Sequence, residues 1–446
     1  NLKKLILSYN DIPELSESIG SMTKLEVLEL ENLGLARTPK NLKKLIAIQV
    51  LNLNFNELTE FPEAIGKMSE MTELHLEGNQ IEMIETDLSA LTKVQKLYLA
   101  ENQINELPES MEVMTDMRYI ELQSNNLSKL PDGIGAMVEL ISLNAEFNQL
   151  ASLPEDIGNA SKLTKLLLTE NRIKSLPQSI GKLKELVILE LATNELVELP
   201  STIGELASVR RINMNENAIA KLPDTFVNLK ALEEFAIEGN KLIALPEAFG
   251  ALKALKTLKI ARNNIIQLPE SFGDLDNLEQ ADLTDNELIS LPESIGNLKK
   301  IDKLILSENN IEEIPSTVNG MENLRSLALD GNSLVTLPEE LFEMKNLNRL
   351  SLEGNNIKKL PANIGNLKNL TYLSLDGNQI KKLPEGIGEL ENLMYLSLEG
   401  NLIKKIPESI SKLKNLKYLF LGGNLLSEKT RLNLKNIVPD GCTIEF

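Results

Sequence analysis

The sequence contains no tryptophan, one cysteine and one histidine, and only 4% of its 446 residues are aromatic. With Cys442 as the sole cysteine, no disulfide can form within the chain, and a zinc site made of Cys and His ligands is excluded. The GxxxxGK[ST], GxGxxG and HExxH motifs are also absent, which excludes the common phosphate-binding loops and the helical zinc-protease site. We therefore expect neither a cofactor nor a metal.

The chain has fewer basic than acidic residues. It contains 46 Lys and Arg residues and 65 Asp and Glu residues, so its net charge is −19. Nucleic acids and anionic membranes are bound by clustered basic residues, so this balance argues against both and favours a basic or neutral partner. No apolar run approaches the roughly 20 residues of a transmembrane helix, so membrane insertion is not expected. No signal peptide is present, and the compartment stays open between the cytoplasm and the cell surface or exterior.

One repeat dominates the chain. Stepping by 23 residues from Asn10 to Asn424 gives 19 repeats without insertion, with asparagine in 18 of them and Leu33 in the other. The template is LxxLxLxxNxLxxLPxxIGxLxx, and 16 of the 18 prolines lie six residues after the asparagine position. Residues 372–388, "YLSLDGNQIKKLPEGIG", and residues 395–411, "YLSLEGNLIKKIPESIS", show it most clearly. A repeat of this length indicates a solenoid whose coils bury their apolar faces by stacking.

The template predicts the structure of each coil. Its "LxL" alternation indicates a short strand, and one strand per coil produces a parallel sheet. The asparagine amide can both donate to and accept from backbone groups that the following bend would leave unpaired. The proline fixes φ and opposes a long helix, so the "IGxL" segment returns through a short 3₁₀-like turn.

The C-terminal residues depart from the template. We predict a solenoid over residues 1–426 and a cap over residues 427–446. The cap reads as a short helix with Ser427 as its N-cap, a turn at 439–441, and an edge strand. No N-terminal cap is visible and "NLKKLILSYN" begins inside a repeat, so we expect that a segment precedes residue 1.

The pattern resembles the leucine-rich repeat superfamily in its 23-residue LPxxIG subtype, and the resemblance covers the whole chain. That subtype occurs in many bacterial proteins, in plant intracellular Ras-group proteins and in an animal scaffold that brings Ras to a phosphatase. The resemblance implies an α/β solenoid with a horseshoe shape: 19 coils, a concave parallel β-sheet, and convex turns with short 3₁₀ segments. It also implies that the chain binds a protein on its concave face. We expect a non-enzymatic scaffold that is a monomer. The ending "CTIEF" resembles the closing strand of some bacterial members and favours a bacterial source.

The template assigns some unusual residues to the core. Phe226, Phe249 and Phe272 replace the isoleucine of "IG", so we predict them as core residues and not as ligand contacts. Six methionines replace the leucine of "IGxL" and are predicted to fill core gaps: Met22, Met68, Met114, Met137, Met321 and Met344.

Other unusual residues fall on the predicted concave face, which holds the positions six, four, two and one before each asparagine. All six tyrosines lie there, which either reflects strand propensity or marks a contact surface. Two clusters of candidate partner-binding residues follow. The C-terminal cluster contains Tyr372, Tyr395, Tyr418 and Phe420 with the acidic residues Asp376 and Glu399, and the N-terminal cluster contains Phe55, His75, Tyr98, Tyr119 and Phe147.

Three further series accompany the C-terminal tyrosines. Ser351, Ser374 and Ser397 could offer hydroxyl groups, and Gly331, Gly354, Gly377 and Gly400 would let a partner approach closely. The acidic series Asp330, Glu353, Asp376 and Glu399 supplies one carboxylate per coil, which is too few oxygens for calcium. The pairs Lys358-Lys359, Lys381-Lys382 and Lys404-Lys405 are read as solvated charge on the outer loops.

Two other functions stay open beside the protein scaffold. One is a secreted or surface-exposed adhesion module for a glycan or another ligand, with tyrosines stacking on sugars beside Ser and Asp. The other is the sensor part of a larger multidomain protein. Catalysis is not expected, because His75 has no nucleophile beside it in the predicted sheet and is 16 repeats from Cys442.

Overall fold

The computed structural model describes all 446 residues, and the chain divides into two compact units, Asn1–Ile219 and Ala220–Phe446. Both units are built from the coil that the template predicts. Each coil contains one three-residue strand, a bend at the asparagine, and in all but a few coils a short 3₁₀ helix that follows the proline. No helix has the length and apolarity needed to cross a membrane.

The strands of unit Asn1–Ile219 are β1 (Lys4–Ile6), β2 (Val27–Glu29), β3 (Val50–Asn52), β4 (Glu73–His75), β5 (Lys96–Tyr98), β6 (Tyr119–Glu121), β7 (Ser142–Asn144), β8 (Lys165–Leu167), β9 (Ile188–Glu190) and β10 (Arg211–Asn213). Its 3₁₀ helices are Glu17–Ser21, Lys40–Lys44, Glu63–Lys67, Glu109–Val113, Asp132–Ala136, Glu155–Asn159, Gln178–Lys182 and Ser201–Glu205. The coil between β4 and β5 has none, and there Glu85 stands in the proline position.

The strands of unit Ala220–Phe446 are β11 (Glu234–Ala236), β12 (Thr257–Lys259), β13 (Gln280–Asp282), β14 (Lys303–Ile305), β15 (Ser326–Ala328), β16 (Arg349–Ser351), β17 (Tyr372–Ser374), β18 (Tyr395–Ser397), β19 (Tyr418–Phe420) and β20 (Thr443–Glu445). Its 3₁₀ helices are Asp224–Asn228, Phe249–Ala251, Glu270–Asp274, Glu293–Asn297, Ser316–Gly320, Glu339–Glu343, Ala362–Asn366, Glu385–Glu389 and Glu408–Lys412.

Within each unit the strands are parallel and paired at an offset of 23 residues. In β17 and β18, for example, Tyr372 pairs with Tyr395, Leu373 with Leu396, and Ser374 with Ser397. The middle residue of each strand points into the core, and its two neighbours point outward. The outward-pointing strand residues and the two residues before each asparagine together form one surface, which we call the strand face.

The asparagine ladder holds the coils together as predicted. In one coil, the Asn378 amide donates to the carbonyls of Leu352, Leu375 and Asp376, and its oxygen accepts from the N–H of Ile357. The Leu33 coil shows how the ladder is interrupted. There the N–H of Ile12 donates to the backbone carbonyl of Leu33, at 3.2 Å, because no side-chain oxygen is available.

The predicted core residues are buried, with one exception. Phe226, Phe249 and Phe272 are fully buried, and so are five of the six methionines. Met22 is exposed, so its assignment to the core was wrong. It belongs to the first of the 19 coils.

The residues after 426 form the predicted helix and strand. Helix α1 (Glu428–Ile437) begins after Ser427, whose side chain accepts from the N–H of Thr430. Strand β20 then pairs in parallel with β19. Of the helix, only Leu434 is buried.

Candidate functional site

The C-terminal tyrosines lie side by side on the strand face of unit Ala220–Phe446. Arg349, Tyr372, Tyr395 and Tyr418 occupy the same position of four adjacent strands, and Phe420 lies two residues after Tyr418. The Arg349 guanidinium lies 3.6 Å from the centre of the Tyr372 ring. We call these five residues the aromatic column.

The rings of the column contact one another. Tyr372 and Tyr395 are stacked, with ring centres 4.4 Å apart and planes inclined by 9°. Tyr395 meets the tilted rings of Tyr418 and Phe420 at 6.3 Å and 5.4 Å, and Tyr418 and Phe420 are stacked at 6.4 Å. Each aromatic pair is worth about 0.5–1.5 kcal/mol beyond its buried area, so the column is ordered before any partner arrives.

These stacked contacts decide which part of each ring meets solvent. Arg349 and Tyr395 cover the two faces of the Tyr372 ring, and Tyr372, Tyr418 and Phe420 contact the Tyr395 ring, so both tyrosines are only partly exposed. Burial, followed by the neighbouring Tyr372, raises the pKa of the Tyr395 phenol. Tyr418 is the most open of the four aromatic rings of the column, with 46% of its surface exposed.

The serines beside the column are buried and already bonded, contrary to the prediction that they could offer hydroxyl groups. The Ser374 hydroxyl donates to Glu353 at 2.6 Å, and the Ser397 hydroxyl donates to Asp376 at 2.5 Å. The Asp376 carboxylate also accepts from the backbone N–H of Glu399 at 2.7 Å. Asp376 therefore ties its own coil to the next one, whereas Glu399 is exposed and lies at the surface.

The glycines beside the acidic residues have a backbone role. Gly377 and Gly400 have φ values of +61° and +62°, a region that glycine enters without steric cost. The same position has positive φ in other coils, where it holds residues such as Glu308. The bend after the strand thus accounts for these glycines, and close approach of a partner is not needed to explain them.

The N-terminal candidates are only partly brought together. His75 and Tyr98 are stacked, with ring centres 4.5 Å apart and planes inclined by 16°. Tyr119 pairs with Lys96 and Ser142 in a different row of the sheet. Phe55 and Phe147 lie at the bends of coils that are four repeats apart, so the five residues do not form one cluster.

Phe55 and Phe147 place aromatic rings at the bends of their coils. Both are exposed, and both have positive φ, at +53° and +55°, where a bulky residue is disfavoured. The Phe55 ring lies directly over Gly78 of the next coil. A Cβ added to Gly78 would come within 2.3 Å of this ring. An exposed aromatic side chain in a strained position is a contact candidate, separate from the stacked pair of His75 and Tyr98.

The titration of His75 can test how deeply its imidazole is buried in the strand face. Burial is the largest influence on its imidazole and lowers its pKa below the ordinary value, while the carboxylate of Glu73, 3.6 Å away, opposes the shift. Because His75 is the only histidine, an NMR titration would follow one imidazole, and we expect a midpoint below 6.5. Glu73→Gln should lower the midpoint further, whereas a midpoint above 6.5 would show that His75 is more solvated than described.

Sequence reasoning missed Arg349 and the groove beside it. Arg349 could have been found, because it precedes Tyr372 by one repeat in the same position. The groove has a volume of about 560 Å³, and Arg325, Asn348, Thr371 and Met394 contribute to its lining. It also contains asparagines such as Asn369 and Asn392, whose amides donate to backbone carbonyls of the preceding coil. These amides serve the solenoid, and the structure contains no group of three or more His, Cys, Asp or Glu residues that could hold a metal ion.

Comparison with known proteins agrees with the coil geometry. A sequence profile described as "Leucine-rich repeat region" matches residues 155–241 and 362–437, and one described as "Leucine rich repeat" matches residues 322–380. No curated protein is significantly similar in sequence. A solved leucine-rich repeat protein of Leptospira interrogans is 28% identical over 100% of both chains, with a TM-score of 0.71.

Two plant receptor structures are also similar. The plant peptide hormone receptor RGFR1, solved in complex with RGF2, is 27% identical over 96% of this chain and 78% of the receptor chain, with a TM-score of 0.69. The Arabidopsis receptor kinase HAESA was solved in complex with the peptide hormone IDA and the co-receptor SERK1. It is 26% identical over 93% of this chain and 76% of its own, with a TM-score of 0.67. The repeated coil, its asparagine ladder and these similarities together identify the chain as a leucine-rich repeat protein.

Proposed function

We propose that this protein is a non-enzymatic recognition scaffold that binds a protein partner through the aromatic column on its strand face, the side expected to be concave. The observation that carries the proposal is the continuous contact from Arg349 through Tyr372 and Tyr395 to Tyr418 and Phe420. Tyrosine and arginine are enriched among the residues that dominate protein–protein binding energy.

Prior ordering of the column supports this role. A side chain that is immobilised only on binding costs about 0.5–1.5 kcal/mol, and the stacked rings have met part of that cost in the free protein. The column therefore presents an ordered row of aromatic side chains to a partner. The plant receptors RGFR1 and HAESA, which have this fold, were solved with peptide hormones, which agrees with recognition of a polypeptide.

Charge beside the column favours a basic or neutral partner. Glu399 is exposed and Asp376 is half-buried, and the whole chain has a net charge of −19. A partner with Lys or Arg at the rim of its contact surface would be attracted there, while nucleic acid would be repelled.

A glycan ligand is the weaker alternative. Sugars stack on open aromatic faces, but neighbouring coils cover the faces of Tyr372 and Tyr395. The hydroxyls of Ser374 and Ser397, which would have bonded to a sugar, instead donate to Glu353 and Asp376. A protein partner needs neither feature.

Site-specific photo-cross-linking can test the proposal. A benzophenone amino acid in place of Tyr418 should capture a partner polypeptide from the source cells, and the same group in place of the exposed Lys412 should not. Once identified by mass spectrometry, the partner would be titrated against the variant Tyr372→Ala/Tyr395→Ala/Tyr418→Ala. We expect a loss of at least 100-fold in affinity, about 2.7 kcal/mol.

The matched control is Thr257→Ala/Gln280→Ala/Lys303→Ala, which changes the same position on three other adjacent strands, β12 to β14. It should leave the affinity within about threefold of wild type. Circular dichroism would confirm that both variants are folded. Equal loss in both variants, or no loss in the tyrosine variant, would show that the column is not the contact surface.

A further inference from the structure

A second surface of unit Ala220–Phe446 lies away from the strand face. It consists of the residues three and four positions after each asparagine, which we call the loop edge. Along successive coils it carries three isoleucines, then Glu312 and Glu313, then Val335, and then six lysines. The isoleucines are Ile243, Ile266 and Ile289, and the lysines are Lys358, Lys359, Lys381, Lys382, Lys404 and Lys405.

The six lysines form pairs on three adjacent coils and make no ion pair. Some lysines elsewhere in the unit do pair with a carboxylate of the next coil, as Lys299 does with Glu322 at 3.0 Å and Lys253 does with Asp276 at 3.1 Å. All six loop-edge lysines are exposed, and none has a carboxylate within ion-pair distance. Three adjacent coils therefore concentrate unpaired positive charge in a chain that is otherwise strongly acidic.

The three isoleucines are unexplained by the core. Ile243, Ile266 and Ile289 are 60%, 45% and 50% exposed, whereas the residue before each of them is fully buried. Corresponding positions in other coils hold polar residues such as Asn105 and Ser128, or smaller apolar residues such as Val197. Aliphatic side chains that are exposed on three adjacent coils form a contiguous apolar stripe, which is typical of an interaction surface.

The spacing of the loop edge is set by its backbone. The N–H of Ile266 donates to the carbonyl of Ile243 at 3.4 Å, and the N–H of Ile289 donates to the carbonyl of Ile266 at 3.2 Å. The coils are thus spaced there much as in a parallel sheet, about 4.8 Å apart. This spacing is close to the pitch of an α-helix, about 5.4 Å, so within each three-coil patch successive turns of a helix lie near successive coils.

We propose that the loop edge docks an α-helix of a partner protein, with aliphatic residues of that helix on the isoleucines and carboxylates on the lysines. Seven coil spacings separate Ile243 from Lys404, which is about 34 Å and corresponds to a helix of about 22 residues. The centres of the two patches, Ile266 and Lys381, are five spacings apart, or about 16 helical residues.

The order of residues favours a helix over an extended anionic surface. Glu312 and Glu313 lie between the two patches, and a membrane or a nucleic acid would place negative charge against them. A protein helix can instead place a basic residue there and carboxylates at the lysines. This surface is separate from the aromatic column, so the inference does not rest on the proposed function.

Selection from a displayed library of 24-residue helical segments, with the intact protein as bait, can test the proposal. We expect enrichment of segments with an aliphatic patch and an acidic patch about 16 residues apart, and weaker binding of these segments at higher salt. Failure to enrich such segments, or enrichment without this spacing, would overturn it. So would binding of phosphatidylserine vesicles or a 20-base-pair DNA duplex with no enriched helix.

Variants of the bait locate the surface. An enriched helix should bind at least tenfold more weakly to Lys358→Glu/Lys381→Glu/Lys404→Glu, and at least tenfold more weakly to Ile243→Ser/Ile266→Ser/Ile289→Ser. The control Lys345→Glu/Lys412→Glu/Lys414→Glu makes the same change of net charge at exposed lysines outside the loop edge and should bind within threefold of wild type. Binding should also survive Tyr372→Ala/Tyr395→Ala/Tyr418→Ala, which separates this surface from the strand face. Equal loss with the control lysines would overturn the assignment to the loop edge.

Discussion

Replacing Asn355 by alanine is expected to lower the free energy of unfolding by about 3–5 kcal/mol. The Asn355 side chain is 4% exposed and makes four hydrogen bonds to backbone groups. Its amide donates to the carbonyls of Leu329, Leu352 and Glu353, and its oxygen accepts from the N–H of Leu334 at 3.0 Å. Without it, the buried N–H of Leu334 loses its partner, which costs about 1–3 kcal/mol, and each other lost bond adds about 0.5–1.5 kcal/mol.

The adjacent residue provides the matched control. Asn356 has the same side chain but is exposed, and its oxygen accepts only from the amide of Gln379. Asn356→Ala should therefore change the free energy of unfolding by less than about 0.5 kcal/mol. Urea unfolding followed by circular dichroism would measure both variants. Similar losses for the two variants would mean that the ladder is not what holds adjacent coils together.

Replacing Gly388 by alanine is expected to destabilise the protein by about 2–3 kcal/mol. Gly388 lies in the 3₁₀ helix Glu385–Glu389, and a Cβ at this position would come within 2.1 Å of the carbonyl oxygen of Ser409 in the next coil. The atoms in the way are backbone atoms, so the coils must separate to make room. Helix propensity alone predicts the opposite sign, because alanine is favoured over glycine in a helix by up to about 1 kcal/mol.

The next coil offers the control for this change. Ser411 occupies the position that corresponds to Gly388, so a side chain is already accommodated there. Its hydroxyl is bonded only to the carbonyl of Glu408 at the surface, and Ser411→Ala should change stability by less than about 0.5 kcal/mol. An unchanged or increased stability of Gly388→Ala would show that the close approach of the two coils is relieved at little cost.

The two glycines of the coil illustrate what sequence reasoning can and cannot separate. Gly377 and Gly388 both recur with the repeat, but Gly377 avoids the steric cost of a positive φ, whereas Gly388 allows the next coil to approach closely. From the sequence alone, the Gly377 series suggests room for a partner. A sequence shows that a position is glycine, whereas the backbone angle and the neighbouring coil show what the glycine does for the fold.

The binding residues show the same division. The sequence was sufficient to find the tyrosines of the column, because they recur at a position that the core leaves free. It could not show that Arg349 closes the column, or that Phe55 and Phe147 lie apart from the stacked His75 and Tyr98. It also could not show that Ser374 and Ser397 are buried beneath the acidic residues.

By itself, the sequence determined the coil: its length of 23 residues, the inward positions of its strand, the asparagine bend and the 3₁₀ return. These features follow from a local pattern that every coil must satisfy in order to bury its apolar residues against the next. Only the tertiary structure decided the state of the surface, namely which rings are stacked, which hydroxyls are used and which lysines are unpaired. Those properties depend on contacts between residues 21 to 26 positions apart, and a repeat places such residues together without stating how their side chains will meet.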